Sequence, residues 1–347
     1  MIQITKGNLL KANVEALVNT VNTVGVMGKG IALQFKQAYP ENFKQYQAAC
    51  KQKKIHPGKM FTVPISLIEN PKYIINFPTK RHWRSKSKIE DIALGLNDLR
   101  AVIINENIKS VAIPPLGCGN GGLNWDEVKP LILNKLGGLD GVEIFIYEPD
   151  GAPSPDDIIV NTDKPKMTKA RALLILIMKE YLKPGYKLSL LEIQKLSYFL
   201  QEIGEPLNLR FEKNKYGPYA ENLNHVLIRM EGHFIRGYGD RSRDAQVYLI
   251  NNSDKEAKDF IKKEFPPAEE LLKKIKNFIR GFETPYGLEL LSTVHWVIKE
   301  NPELVNKPDK VIEIIQNWNT RKKELFKSNQ IKKTLQHIVE NNELIYK

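Results

Sequence analysis

Cysteine is scarce in this chain. Cys50 and Cys118 are the two among 347 residues, too few for a disulfide framework and without the paired spacing of a metal site, which points to a reducing compartment. The six histidines fall outside any His-x-x-x-His pattern, so no metal site is expected. No apolar run approaches the roughly 18 residues of a membrane span, and Met1-Ile2-Gln3-Ile4 enters a strand directly instead of a signal peptide. A cytoplasmic protein with no membrane partner is the expectation. A Walker A loop, a Gly-x-Gly-x-x-Gly dinucleotide fingerprint, a charged tail and a repeat of fixed period are absent too.

What the chain has is an excess of base. Lys and Arg total 52 against 40 Asp and Glu, a formal charge of +12. Residues 1–155 hold 19 basic and 13 acidic residues, or +6, and the remainder contributes the other +6. A mild, evenly spread positive field suits a polyanionic partner. The length favours two domains, and 42% hydrophobic with 27% charged residues is an ordinary globular composition.

In the first half short apolar strands alternate with amphipathic helices. Strands are expected at Ile2 to Ile4, Ala16 to Val18, Met60 to Pro64, Tyr73 to Phe77, Val111 to Pro114 and Val142 to Tyr147, with helices after Gly30, at Glu41 to Gln52, Ser87 to Asn105, and from an Asn124 cap to about Leu136. That alternation means an α/β domain with a mostly parallel sheet covered on both faces. Two glycine-rich loops leave strand ends. Gly25-Val26-Met27-Gly28-Lys29-Gly30 precedes Ile31 at a helix start, and Gly117-Cys118-Gly119-Asn120-Gly121-Gly122-Leu123 follows the strand at 111–114. Backbone N–H groups in such loops can grip a diphosphate from two sides, and Asn22 between them can bond sugar hydroxyls. Phe77-Pro78-Thr79-Lys80 leads from a strand, which Pro78 is expected to stop for want of an N–H, into a loop of Arg81, His82, Trp83 and Arg84. A lysine at a strand end, among other cations, is a candidate nucleophile. Cations interleaved with aromatics suit phosphates and unstacked bases. Trp83 is a candidate stacking surface, with a core anchor as the other reading.

Ala16-Leu17-Val18-Asn19-Thr20-Val21-Asn22, Gly28-Lys29-Gly30-Ile31-Ala32 and Pro114-Pro115-Leu116-Gly117-Cys118-Gly119-Asn120-Gly121-Gly122-Leu123 resemble the macrodomain family of ADP-ribose binders and hydrolases. Asn76-Phe77-Pro78-Thr79-Lys80 narrows the resemblance to the branch that includes the DarG-type antitoxins, over about residues 1–150. The resemblance implies a three-layer α/β/α macrodomain that removes ADP-ribose from thymine bases of single-stranded DNA, without metal or other cofactor. Asn8 and Leu9 would sit beside the adenine, Gly28, Lys29, Gly30 and Ile31 with Gly117 to Leu123 would bind the diphosphate, Asn22 would hold the distal ribose, and Lys80 would act on it. Arg81, His82, Trp83 and Arg84 would lie along the DNA. This sequence has Asn8 where many macrodomains have aspartate, and Asn120 where a human relative has a catalytic aspartate; asparagine cannot serve as a general base near neutrality. Lys80 therefore has two open routes, attack on the ribose carbon or electrostatic help to the leaving base. A non-catalytic ADP-ribose reader and a hydrolase of modified protein carboxylates are the alternatives.

The boundaries expected are a macrodomain at 1–152, a proline-rich linker at 153–166 and a mostly α-helical domain at 167–347. Helices are expected from a Thr168 cap to Pro184-Gly185, at Leu190 to Ile203, and at about 219–231, 254–264, 267–281, 285–299, 308–319 and 321–341, with a short strand at Gln246 to Ile250. Lys322-Lys323 and Lys332-Lys333 read as solvated helix faces. Ile193 to Leu200 and Phe211-Glu212-Lys213-Asn214-Lys215-Tyr216-Gly217-Pro218-Tyr219 resemble the Panacea-type antitoxin domain, which implies a module that neutralises a cognate DarT-type ADP-ribosyltransferase toxin by binding it.

Overall fold

A computed structural model describes residues 1–150, 153–154, 157–182, 185–239, 245–250 and 252–341. They divide into two compact units, one of Met1–Asp163, with which Gly239 groups, and one built from Lys164 onward.

The first unit has strands β1 (Ile2–Thr5), β2 (Ala16–Asn22), β3 (Phe61–Pro64), β4 (Tyr73–Lys80), β5 (Ser110–Ile113) and β6 (Glu143–Tyr147), and helices α1 (Gly30–Ala38), α2 (Pro40–Lys51), α3 (Ile89–Asn105) and α4 (Trp125–Leu136). The sheet order is β1-β6-β5-β2-β4-β3, parallel except that β3 runs against β4. The period-two alternation of apolar residues assigns the faces. Ala16, Val18, Ile75, Phe77, Val111 and Ile113 pack with Ile92, Leu96 and Leu99 of α3 and Val128 and Ile132 of α4. Leu17, Ile74 and Ala112 point the other way, onto Phe35 and Ala38 of α1 and onto Leu9 and Leu10. Each fully buried Val, Leu, Ile or Phe among them contributes on the order of 1.5–3 kcal/mol. The result is the three-layer α/β/α macrodomain fold, with a mixed sheet.

Pro78 does not stop its strand. β4 continues to Lys80 alongside β2, while its other neighbour, β3, stops at the pair Phe61 and Asn76. One flank of β4 is therefore open beyond Asn76, where a residue lacking an N–H is tolerated. The segment expected as a proline-rich linker makes contacts with the first unit. Asn8 Nδ2 donates to the Asp157 carbonyl at 2.8 Å, Lys11 pairs with the Asp157 carboxylate, and the Asn161 amide donates to the Ala38 carbonyl at 2.9 Å.

The second unit is largely helical, with α5 (Lys169–Tyr181), α6 (Leu190–Glu202), α7 (Leu223–Met230), α8 (Ser253–Glu264), α9 (Ala268–Phe278), α10 (Pro285–Glu300), α11 (Pro308–Gln316), α12 (Thr320–Leu325) and α13 (Ser328–Glu340) around one apolar core. Thr168 caps α5 as expected. Pro184, expected to end that helix, lies outside the described residues. Small strands β7 (Leu188–Ser189), β8 (Phe211–Asn214), β9 (Gly217–Ala220), β10 (Ile235–Arg236) and β11 (Gln246–Leu249) complete it. The helix expected from 219 starts at Leu223 because β8 and β9 form an antiparallel pair first, and the helix expected over 321–341 is broken between Leu325 and Ser328. Lys322 is no solvated residue. It is wholly buried against Glu289, whereas Lys332 pairs with Asp309 at the surface. No helix among the described residues is long and apolar enough to cross a membrane.

Candidate active site

The site forms where β2 and β4 end side by side. Their register slips after Val21, which faces Pro78, so that Asn22 lies opposite Lys80. The extra residue, Thr79, turns into the interior at 3% exposure, and a one-residue bulge of this kind re-aims the next side chain. Lys80 is thereby presented at the sheet's end. Its amine donates to the Asn120 carbonyl at 2.8 Å and to the Trp83 carbonyl at 3.1 Å. Partial burial lowers its pKa below the usual lysine value by penalising the charged form.

Asn120 belongs to the second glycine loop. There the Leu123 N–H donates to the Gly117 carbonyl and the Gly122 N–H to the Gly119 carbonyl, both at 3.1 Å, while the Ser87 N–H donates to the Gly121 carbonyl at 3.0 Å. A Cβ on Gly121 would stand 2.2 Å from the Gly117 carbonyl oxygen, so the turn closes around a residue with no side chain. The first glycine loop meets the second at Gly30, the first residue of α1. Gly30 has a φ of +61°, and a Cβ there would come within 2.9 Å of the Asn120 amide nitrogen. Lys29 precedes the helix without a side-chain cap, which leaves the first-turn N–H groups of α1 free for an anion. Cys118 is no thiolate candidate, because burial pushes its pKa up to about 11.

The structure thus brings together Lys80, Asn22, Gly30 and the Gly117 to Leu123 loop. Asn22 is spent locally. Its Oδ1 accepts from the Val24 N–H at 3.0 Å and the Val26 N–H at 3.3 Å, and its Nδ2 donates to the Val26 carbonyl. Nδ2 keeps a second hydrogen, the one donor Asn22 has left for a ribose hydroxyl. Asn8 caps the turn at Leu9–Lys11 by accepting from the Leu10 N–H, and Leu9 itself is buried in the core, with Ile31 packed partly against the same cluster.

The basic loop is divided by its contacts. Arg81 is committed to the buried carboxylate of Asp91, with guanidinium nitrogens at 3.1 and 3.3 Å. Trp83 is 45% exposed, so it is not a core anchor. His82 stacks beside it at 5.5 Å between centroids and 29° between planes, and the Arg84 guanidinium lies 4.4 Å from its ring centroid.

Two supports beneath the site escaped sequence reasoning. Tyr46, fully buried, donates its hydroxyl to the Asn22 carbonyl. Asn19 and Asn76 face each other across β2 and β4 and bond at 3.0 Å, and Asn76 donates on to Asn42 at 2.7 Å. The available signal was a pair of amides inside two otherwise apolar runs.

The Macro domain family model matches residues 18–132. A DNA ADP-ribosyl glycohydrolase of Thermus aquaticus is 47% identical over 322 residues, covering 93% of this chain and 89% of that protein. One of Mycobacterium tuberculosis is 40% identical over 354 residues, covering 98% and 99%. A fusion protein of Thermosipho africanus, DNA ADP-ribosyl transferase joined to DNA ADP-ribosyl glycohydrolase, is 35% identical over 170 residues, covering 45% of this chain and 44% of that one. Likeness of this depth, sustained through both units, makes the chain a member of the DarG family of DNA ADP-ribosyl glycohydrolases.

Proposed function

We propose that this chain hydrolyses the bond between ADP-ribose and thymine in single-stranded DNA, with Lys80 acting at the ribose carbon, and that its helical unit binds and blocks a cognate ADP-ribosyltransferase. The observation that carries the first part is the position of the Lys80 amine, opposite Asn22 and bonded to Asn120 between two glycine turns. A module that only reads ADP-ribose needs the turns but no amine there. The diphosphate would lie on the Gly28 to Ile31 turn and the Gly117 to Leu123 loop, and the adenine near Asn8.

A neutral Lys80 has two hydrogens, which the carbonyls of Asn120 and Trp83 accept, and its lone pair then points away from both. In the covalent route that pair forms a bond to the ribose carbon while the carbon–nitrogen bond to thymine breaks, the ammonium so formed gives its proton to the leaving base, and the lysyl glycosylamine is in equilibrium with the ring-opened imine that borohydride reduces. Water then releases ADP-ribose and restores the amine. A charged Lys80 instead keeps a third N–H, which can stabilise the departing base. Burial favours the first by raising the neutral fraction. The test is release of ADP-ribose from a modified oligonucleotide by wild type and Lys80→Ala, with borohydride trapping during turnover. Retained turnover in Lys80→Ala overturns the role of Lys80, and a wild-type chain that releases nothing overturns the hydrolase reading.

The toxin-binding part is supported by the Thermosipho fusion protein, which joins transferase and glycohydrolase in one chain. Inhibition of the transferase by the hydrolysis-dead variant, in a stable complex, is the expected result. A transferase that works unhindered beside it would defeat this part alone.

A further inference from the structure

The turn between β8 and β9 is held firmly from below. Trp318 donates its indole N–H to the Asn214 carbonyl at 2.9 Å and Asn319 donates to the Lys215 carbonyl at 3.1 Å, both from 104 residues away. Lys195, fully buried, donates to the Pro218 carbonyl at 2.7 Å. Those contacts account for much of the conspicuous sequence around this turn, but not for what the turn presents. Tyr216 is 42% exposed. The Arg321 guanidinium carbon lies 4.8 Å from its ring centroid and the Lys215 amine 5.4 Å, while the Lys213 amine lies 4.5 Å from the Trp318 ring. The carboxylate behind this group, Glu289, is 1% exposed and is already shared by Arg321 and Lys322. Lys213 and Lys215 have no ion-pair partner among the described residues.

We propose that this patch is a contact site for single-stranded nucleic acid on the helical unit, with Tyr216 stacking on a base and Lys213, Lys215 and Arg321 meeting the flanking phosphates. Aromatic faces bordered by cations are what an unpaired strand engages, because every base has a π face and every linkage a negative charge. An acidic protein surface would use the lysines but not the ring. A transferase that modifies DNA presents cations to DNA itself, so this patch and that groove would repel each other. The inference leans on the DNA-hydrolase reading only for why a strand is at hand.

The test uses the full chain and a fluorescent, unmodified oligonucleotide of about 20 nucleotides, long enough for several contacts, so its outcome does not depend on hydrolysis. The Lys213→Glu, Lys215→Glu double variant is expected to bind about tenfold or more weakly, with the slope of log affinity against log salt reduced by about 1.4, two phosphates at roughly 0.7 each. Tyr216→Ala is expected to lose about tenfold and Tyr216→Phe to recover it, since the stacking face is kept. Turnover of saturating modified oligonucleotide stays at the wild-type rate. Wild-type affinity and slope in a double variant that melts like wild type overturns the proposal. So does intact DNA binding with lost capture of the transferase, which would make the patch a protein-docking surface.

Discussion

The Lys80 amine donates a 2.8 Å hydrogen bond to the main-chain carbonyl of Asn120, 40 residues further along the chain. That bond joins the end of β4 to the glycine loop after β5, so the Lys80 amine and that turn are positioned by each other. Asn120 takes part through its backbone here, and its side-chain amide faces Gly30. The main-chain bond is one that any residue at 120 could offer, and under the proposed mechanism the proton chemistry falls to Lys80 and water.

Lys80→Ala is expected to lower turnover by about 10²–10⁴-fold, the range for one well-placed acid–base group. Melting temperature should change little, because what is lost is two hydrogen bonds to loop carbonyls at the sheet's end. Burial lowers the amine's pKa, so a nucleophilic lysine makes kcat rise with pH as the neutral fraction grows, at lower pH than for a free lysine. An electrostatic lysine gives the opposite slope. A kcat–pH profile read beside borohydride trapping decides between the routes, and a flat profile without an adduct would remove Lys80 from the chemistry.

Gly121→Ala and Gly119→Ala make a matched pair within one loop. At Gly121 the new methyl would collide with the Gly117 carbonyl at 2.2 Å and with the Ser87 hydroxyl at 2.3 Å, so the turn has to open. A loss of about 1–3 kcal/mol and a marked fall in ADP-ribose affinity are expected, as for other overpacked sites. Gly119 has open space around its missing Cβ, and alanine there should stay within about 0.5 kcal/mol. Calorimetric titration with ADP-ribose checks both, and equal behaviour would mean that the loop conformation is not what binds.

The basic loop should separate into a structural and a binding half. Arg81→Ala leaves the buried Asp91 carboxylate without its partner, and the expected result is a lower melting temperature with little change in the salt dependence of DNA binding. Trp83→Ala should weaken single-stranded DNA by the roughly 1–3 kcal/mol of one stacked base. Arg84→Ala should reduce the salt slope by about 0.7. If Arg81 rather than Arg84 governs the slope, the division is wrong.

What was legible in the sequence was local. The Asn124 cap and the helix after it depend on neighbouring residues, and Asn124 does accept from the Asp126 N–H at 3.1 Å. The alternating strands and helices gave the layers for the same reason. Pro78 misled because its effect depends on where a different strand, β3, ends. The engagement of Arg81 by Asp91, the burial of Lys322 and the seat of the Tyr216 turn on Trp318 are decided by partners 10 to 104 residues away, and a lysine pair reads the same whether it faces water or a buried glutamate. Asn22 was found by its place at a strand end, yet its bonds to Val24 and Val26 follow from a loop whose course only the folded chain defines.

The buried groups of the helical unit make stability rise with pH in two separate windows. Burial among apolar residues and next to Lys322 lowers Lys195 from 10.5 to about 7. Between those values the unfolded chain holds a proton that the folded chain has released, so stability rises as pH increases from about 7 toward 10.5, and below about 7 the full cost of a buried ammonium is present. His295, bonded through Nδ1 to the Tyr198 hydroxyl at 2.7 Å, is lowered by burial from 6.5 to about 3. Here too the unfolded chain takes up the proton first, and stability falls as pH drops from 6.5 toward 3. Melting temperatures across pH should therefore climb on the alkaline side and decline on the acid side, with a smaller climb in Lys195→Met and a smaller decline in His295→Gln. Lys195→Met should also melt above wild type at pH 6, because it removes a buried charge while filling nearly the same volume. A variant that melts lower there would mean that the bond to Pro218 outweighs the cost of the charge, and the turn carrying Tyr216 would then depend on Lys195 for its hold.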